Sequence, residues 1–177
     1  MSKCVLICAA LAMTASLSFA QKFTSPPAET SVTIAGKNIT IKYCAPSVRG
    51  RQIFGDGGQI SHDPHYPVWR AGANAATALH TDADLDIQGL HVPAGDYTLF
   101  VNVADPDHWE FIVSKDTKEW GLAYKPDKDL GRVKMEMSKP PASIEVYKMT
   151  LSSGGGNSGK LQLEWENHIA SVSFTAK

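Results

Sequence analysis

The clearest structural signal in the chain is a pair of alternating segments near its C-terminus. Residues 161–175 read Leu161-Gln162-Leu163-Glu164-Trp165-Glu166-Asn167-His168-Ile169-Ala170-Ser171-Val172-Ser173-Phe174-Thr175. Apolar residues at every second position are typical of a β-strand that buries one face and exposes the other. Because the polar pair Asn167-His168 separates the two segments, they predict an antiparallel hairpin.

The same period-two pattern extends over most of the chain. Val32 and Ile34 are followed, across a short polar turn, by Ile39 and Ile41, which predicts a second hairpin. In residues 144–151 the apolar phase changes within one segment, as a β-bulge would produce. Further alternating segments lie in residues 85–87, 97–103, 109–113 and 133–137.

The sequence therefore predicts an all-β protein. No window outside residues 1–20 has the apolar spacing of an amphipathic helix, and Pro, Gly and Asp separate the segments at short intervals. About nine short strands with this spacing are typical of an antiparallel β-sandwich or jelly roll. The length of 177 residues suits one domain.

Residues 1–20 predict a secretory signal peptide. Cys4 to Leu17 is mostly apolar and carries no charge, and Ser18-Phe19-Ala20 places small residues where a signal peptidase requires them. The apolar stretch is shorter than the roughly 20 residues that span a bilayer. We therefore expect residues 21–177 to form an exported domain, periplasmic or extracellular, with no membrane span after cleavage.

Composition excludes several classes of function. Lys and Arg total 17 and Asp and Glu total 18, a net charge of −1, so the basic excess of a nucleic-acid-binding protein is absent. Signal cleavage would remove Cys4 and Cys8, and the remaining Cys44 cannot form an internal disulfide or a CxxC site. The chain has no Walker loop or dinucleotide fingerprint, so we expect no cofactor.

One long segment, residues 46–74, lacks the alternating pattern. A connection of this length without its own periodicity is usually functional or disordered. Ile53, Phe54, Val68 and Trp69 favour burial, so we expect an ordered, irregular loop rather than a disordered one.

Arginine is concentrated in this long loop. The chain has thirteen lysines and four arginines, and Arg49, Arg51 and Arg70 are three of the four. A guanidinium group can pair bidentately with a carboxylate, phosphate or sulfate. Two interpretations stay open: the arginines bind an anionic ligand, or they pair with Asp56, Asp63 and loop carbonyls and hold the loop in place.

The candidate ligand-binding residues lie in this loop. They are Arg49, Arg51, Trp69, Arg70 and Asn74. The ligand class predicted is anionic, carbohydrate-like or protein, since Trp69 and Trp120 lie beside loops where an indole could stack on a sugar. We expect a binding or envelope module rather than an enzyme, although an envelope protein whose arginines serve only the fold is a further possibility.

A hydrolase is the alternative function. The loop arginines would stabilise developing negative charge, and an acid or base would come from Asp56, His62, Asp63 or His65. No complete catalytic constellation is visible in the sequence. The stretch His62-Asp63-Pro64-His65 also has the residue types of a metal site, but its spacing matches no established signature, so we expect a solvated polar loop and no metal.

Five motifs resemble one known family. They are Tyr43-x-x-Pro46, Gly50-Arg51-x-Ile53-Phe54-Gly55, Trp69-Arg70-x-Gly72-Ala73-Asn74, Pro93-Ala94-Gly95-x-Tyr97-x-Leu99-Phe100 and Trp120-Gly121. Together they resemble the secreted bacterial domain-of-unknown-function family 2911, from about Ser25 to the C-terminus. The resemblance implies export and supports the fold but implies no mechanism. Gly57-Gly58 and the stretch from His62 to His65 depart from the family's usual pattern, which makes them poor candidates for a shared function.

Overall fold

A computed structural model describes residues 25–117 and 123–177 as a β-sandwich of two sheets. The first sheet contains β1 (Pro27–Ile34), β2 (Lys37–Cys44), β3 (Val68–Trp69), β4 (Thr77–Thr81), β7 (Gly95–Asn102), β8 (Glu110–Ser114) and β9 (Asp129–Lys134). The second contains β5 (Leu85–Ile87), β6 (Leu90–Val92), β10 (Glu136–Ser138), β11 (Ile144–Gly155), β12 (Ser158–Glu166) and β13 (His168–Ala176). The signal peptide predicted at residues 1–20 and the Trp120-Gly121 motif lie outside the described residues.

Every strand pairing in the described chain is antiparallel. The first sheet has the order β1-β2-β4-β7-β8-β9, with β3 pairing with β7, and the second has the order β11-β12-β13-β5-β6, with β10 pairing with β13. Two short 3-10 helices, Gln59–His62 and Pro126–Lys128, are the helical elements of the described residues. No helix in residues 25–117 or 123–177 is long and apolar enough to cross a membrane. The all-β sandwich prediction is confirmed.

Both predicted hairpins are present. Strands β1 and β2 pair Val32 with Ile39, and their turn places Ala35 and Gly36 at φ +50° and +77°, the positive angles of a tight hairpin turn. Strands β12 and β13 pair Trp165 with His168. The described residues contain thirteen strands, more than the number predicted, because strands of two or three residues are too short to show a period of two.

The phase change in strand β11 is a bulge, as predicted. The register between β11 and β12 shifts between Ile144 and Lys148. Within the shift Tyr147 is buried, whereas Val146 is 48% exposed. The irregularity therefore turns the tyrosine toward the core.

The core lies between the two sheets. Its fully buried aliphatic side chains come from both layers, among them Ile39, Ile41, Leu99, Leu163 and Val172. Two hydrogen bonds also join the layers: the Met149 N–H donates to Tyr43 Oη at 3.0 Å, and the Leu151 N–H donates to Thr30 Oγ1 at 2.9 Å.

The long loop is ordered and packs into this core, as expected. Ile53 is completely buried, and Phe54, Val68 and Trp69 are less than 9% exposed. The Phe54 ring lies 4.7 Å from that of Trp109 and 5.8 Å from that of Trp165, within the range of favourable aromatic pairs. The loop therefore has a fixed conformation, and its polar side chains have defined positions.

Candidate functional site

The long loop borders a cleft of about 530 Å³, a size typical of small-molecule sites. All five predicted ligand-binding residues line it: Arg49, Arg51, Trp69, Arg70 and Asn74. The structure therefore brings the three loop arginines to one cavity, but it gives each of them a different environment.

The Arg51 side chain is held by uncharged groups of its own loop. Its Nε–H donates to Val48 O at 3.1 Å, Nη2 donates to Ser47 O at 2.7 Å, and Nη1 donates to Gln59 Oε1 at 3.0 Å. These bonds orient the guanidinium plane while leaving its charge without a carboxylate partner among the described residues. Arg51 itself remains exposed at the cleft.

Arg70 is part of the cleft wall. Its Nη2 lies 2.7 Å from Asp63 Oδ2, and the two side chains are only 15% and 8% exposed. Its Nη1 donates to Asn74 O at 3.3 Å. The interpretation that the arginines hold the loop in place therefore applies to Arg70, because the pair neutralises its charge within the loop.

Arg49 and Asn74 both lie at backbone positions with left-handed conformation. Arg49 has φ +51° and its N–H donates to Glu145 Oε1 at 2.9 Å, which ties the start of the loop to strand β11. Asn74 has φ +58°, a conformation that asparagine tolerates better than most residues. Its Nδ2 donates to Ser25 O at 3.3 Å.

Trp69 does not present an open ring to the cleft. It is 3% exposed, its Nε1–H donates to Gly72 O at 2.9 Å, and its ring stacks on that of Trp165 at 5.7 Å. The indole closes the bottom of the cleft as part of the core. A sugar would find little aromatic surface here on which to stack.

The structure places the weak metal candidates His62, Asp63 and His65 in different environments. The Asp63 carboxylate accepts from Arg70 Nη2 and from the His65 N–H, while the His65 ring packs against Tyr124 at 6.1 Å. His62 lines the cleft and is exposed. No group of three or more His, Cys, Asp or Glu side chains in the described chain could hold a metal ion.

Two glutamates anchor the loop, and neither was predicted as a site residue. Besides Glu145, Glu166 accepts the Ile53 N–H on Oε1 at 3.1 Å, and its side chain is only 13% exposed. Glu166 also has φ +52° at the turn between β12 and β13. The alternation of this segment predicted a solvated face for Glu166, and no local signal indicates that a segment 113 residues away packs on it.

His168 lies behind the loop, against the same aromatic cluster. Its ring stacks on Trp109 at 5.1 Å and meets the edge of Phe54 at 4.7 Å. Burial lowers the pKa of His168, although nearby Glu166 acts in the opposite direction. Its Nδ1 is buried and lies 3.9 Å from Glu166 Oε2, too far for a hydrogen bond.

Comparison with known proteins supplies a family. A family model described as protein of unknown function (DUF2911) matches residues 25–174. The chain belongs to this family. The match includes the whole cleft-bordering loop of this DUF2911 protein, and it confirms the resemblance carried by the sequence motifs. No curated protein and no solved structure matches the chain.

Proposed function

We propose that this DUF2911 protein is an exported, non-catalytic binding module that takes a small anionic ligand into the cleft. The observation that carries the proposal is the net charge of the residues that line the cleft. Three arginines and one aspartate line the cleft, which gives it a net charge of +2 with His62 neutral, on a chain whose own net charge is −1. A concave site lined by charge of one sign attracts and concentrates ligands of the opposite charge.

An anion suits the cleft better than a neutral sugar or a protein surface. Trp69 and Trp165 line the cleft but are 3% and 4% exposed, so the aromatic platform that a sugar ring requires is small. A volume of about 530 Å³ accommodates a small molecule. The exposed residues that line the cleft include Arg49, Arg51 and Gln59, whose side chains carry N–H donors.

A hydrolase receives less support from the same geometry. A general acid or base needs a proton-transfer atom that can reach substrate, but both Asp63 oxygens already accept hydrogen bonds from within the loop. Asp56 and His65 are not among the residues that line the cleft, and His62, which is exposed there, has no carboxylate hydrogen-bonded to it in the described part of the chain. A binding module therefore accounts for the cleft without a catalytic pair.

The test is a panel of small anions measured by thermal unfolding of the mature protein. Inorganic phosphate, sulfate and glucuronate are compared with glucose and with sodium chloride at the same ionic strength. A ligand that binds only the folded state raises Tm as its concentration passes Kd, so we expect at least one anion to raise Tm and glucose to leave it unchanged. If every anion changes Tm only as much as sodium chloride does, the proposal is wrong.

Export is tested separately by mass spectrometry of the purified protein, with Gln21 as the expected first residue.

A further inference from the structure

The Arg51 guanidinium group is held in place by hydrogen bonds and still has N–H donors that these bonds do not use. A guanidinium group has five N–H donors, and Arg51 uses three, one on each nitrogen, for Val48 O, Ser47 O and Gln59 Oε1. One N–H on Nη1 and one on Nη2 have no partner in the described part of the chain. Arg51 can therefore bind an anion without giving up the bonds that orient it.

Gln59 adds two more donors beside Arg51. Because its Oε1 accepts from Arg51 Nη1 at 3.0 Å, the orientation of the amide is defined and its Nε2 points its two N–H groups elsewhere. Neither has an acceptor among residues 25–117 and 123–177. The pair thus has four N–H donors without a partner in residues 25–117 and 123–177, and both residues line the cleft.

The unpaired groups of this pair are mainly N–H donors, since its one side-chain acceptor, Gln59 Oε1, already accepts from Arg51, and this selects the chemistry of the ligand. Neutral hydroxyl groups both donate and accept, so they leave part of their hydrogen-bonding capacity unused against N–H groups alone. Oxygens of a carboxylate, sulfate or phosphate accept several hydrogen bonds, and charge-assisted bonds to a guanidinium are about twice as strong as neutral ones. An oxyanion is therefore the best complement to Arg51 and Gln59.

The backbone holds both residues before any ligand arrives. The Arg51 N–H donates to Val48 O at 3.1 Å, and the Gln59 N–H donates to Gln52 O at 2.9 Å. The next pair in this ladder, Ile60 N–H to Ile53 O at 3.1 Å, involves a completely buried isoleucine. Because the site is already ordered, binding incurs little conformational entropy loss.

Arg70 also has an N–H without a partner among the described residues, at its buried Nε, but it lacks an unmatched charge. Its charge is matched by Asp63 at 2.7 Å in a pair whose side chains are 15% and 8% exposed. Drawing Arg70 toward a ligand would leave a buried carboxylate without its partner, which is costly.

We infer that Arg51 and Gln59 form the receptor for an oxyanion group of the ligand, and that Arg70 shapes the wall without binding the anion. This inference rests on the proposed function of the cleft. The sequence alone did not distinguish the three loop arginines. The inference assigns anion binding to Arg51 and a structural role to Arg70.

The experiment is calorimetric titration of phosphate, sulfate and glucuronate into the full mature protein and three variants. Arg51→Lys removes the planar guanidinium group with its several N–H donors, and Gln59→Glu places a negative charge beside the bound anion. Each variant is therefore expected to weaken binding of the anion at least tenfold. Gln162→Glu makes the same charge change on strand β12, away from the cleft, and is expected to bind within threefold of wild type. The phosphate, sulfate and glucuronate arms separate tetrahedral oxyanions from a carboxylate.

The outcomes separate the two claims. If the wild type binds none of the three anions, the proposed function and this inference both fail. If the wild type binds an anion and the Arg51 and Gln59 variants bind it within threefold, only the inference is overturned. Side-chain nitrogen NMR signals of Arg51 and Gln59 in the wild type give a readout that does not depend on how the variants fold: they are expected to shift on anion addition, and unchanged signals would also overturn the inference.

Discussion

The arginine residues of the long loop have different environments because their neighbours differ. Arg51 donates to two carbonyl oxygens and an amide oxygen, so its charge remains available, whereas Arg70 faces a buried carboxylate. Arg49 contributes its backbone N–H to Glu145 and its side chain to the cleft. The role of each guanidinium follows from the group opposite it and from its exposure.

Arg70→Lys is expected to lower the free energy of unfolding by about 1–3 kcal/mol. Lysine keeps the charge but cannot reach Asp63 and Asn74 O with the same planar geometry, and a buried pair is sensitive to lost hydrogen bonds. The control, Lys148→Arg, makes the reverse exchange at an exposed position of strand β11 and should alter stability by less than about 0.5 kcal/mol. Urea unfolding monitored by tryptophan fluorescence measures both. Equal stability of the two variants would show that Arg70 is not part of the scaffold.

Two glutamates on the second sheet hold the long loop as a structural element. Glu145 of strand β11 accepts the Arg49 N–H at 2.9 Å, and Glu166 at the end of β12 accepts the Ile53 N–H at 3.1 Å. Between these anchors the loop carries Arg51 along the cleft. The loop therefore depends on strands that lie about one hundred residues further along the chain.

Glu166→Ala is expected to loosen the segment around Ile53, because it removes the acceptor of the N–H of this buried residue. Loss of such a charged acceptor costs about 1–3 kcal/mol, and amide hydrogen exchange at Ile53 should accelerate. Glu166→Gln retains an oxygen that can accept this bond and should restore most of the protection. Glu164→Ala, two residues earlier on β12, is the matched control and should leave Ile53 protected. Unchanged exchange in Glu166→Ala would contradict the role of this anchor.

At the scale of the whole molecule, the sandwich closes around an aromatic cluster that includes a histidine. Trp109 and Phe54 pack on His168, and burial lowers the pKa of its imidazole below the ordinary 6.5. Glu166 and Asp107 raise this pKa and Lys139 lowers it, but burial is the largest influence. In this fold the neutral imidazole is favoured over the charged one.

The whole fold should therefore lose stability on acidification through His168. In the unfolded chain His168 takes up a proton near pH 6.5, whereas in the folded chain it does so only at lower pH. The stability that comes from the neutral imidazole is therefore fully present above pH 6.5 and is lost as the pH falls toward the lowered pKa of the folded chain. His168→Phe keeps a ring in the stack and removes the titration. Urea unfolding at pH 7.5 and 5.5 should show a smaller loss in this variant than in the wild type, while His91→Gln, an exposed position, should behave as the wild type does. Equal losses in all three proteins would contradict the assignment.

Local alternation was sufficient to predict the architecture. The hairpin at residues 161–175, the hairpin around Gly36 and the bulge before Tyr147 all follow from the period of two, because a strand with one buried face must place apolar residues on that face. The burial of Ile53 and Phe54 within an irregular loop followed from their hydrophobicity alone.

The amino-acid sequence by itself determined the all-β sandwich, the ordered loop at residues 46–74 and the concentration of arginine within it. Only the tertiary structure decided which arginine is neutralised, which amide group lies beside Arg51, and that Glu166 supports the loop. The physical reason is distance along the chain. Hydrophobic alternation is a local property of neighbouring residues, whereas the charge state and exposure of a side chain depend on partners that folding brings from remote strands.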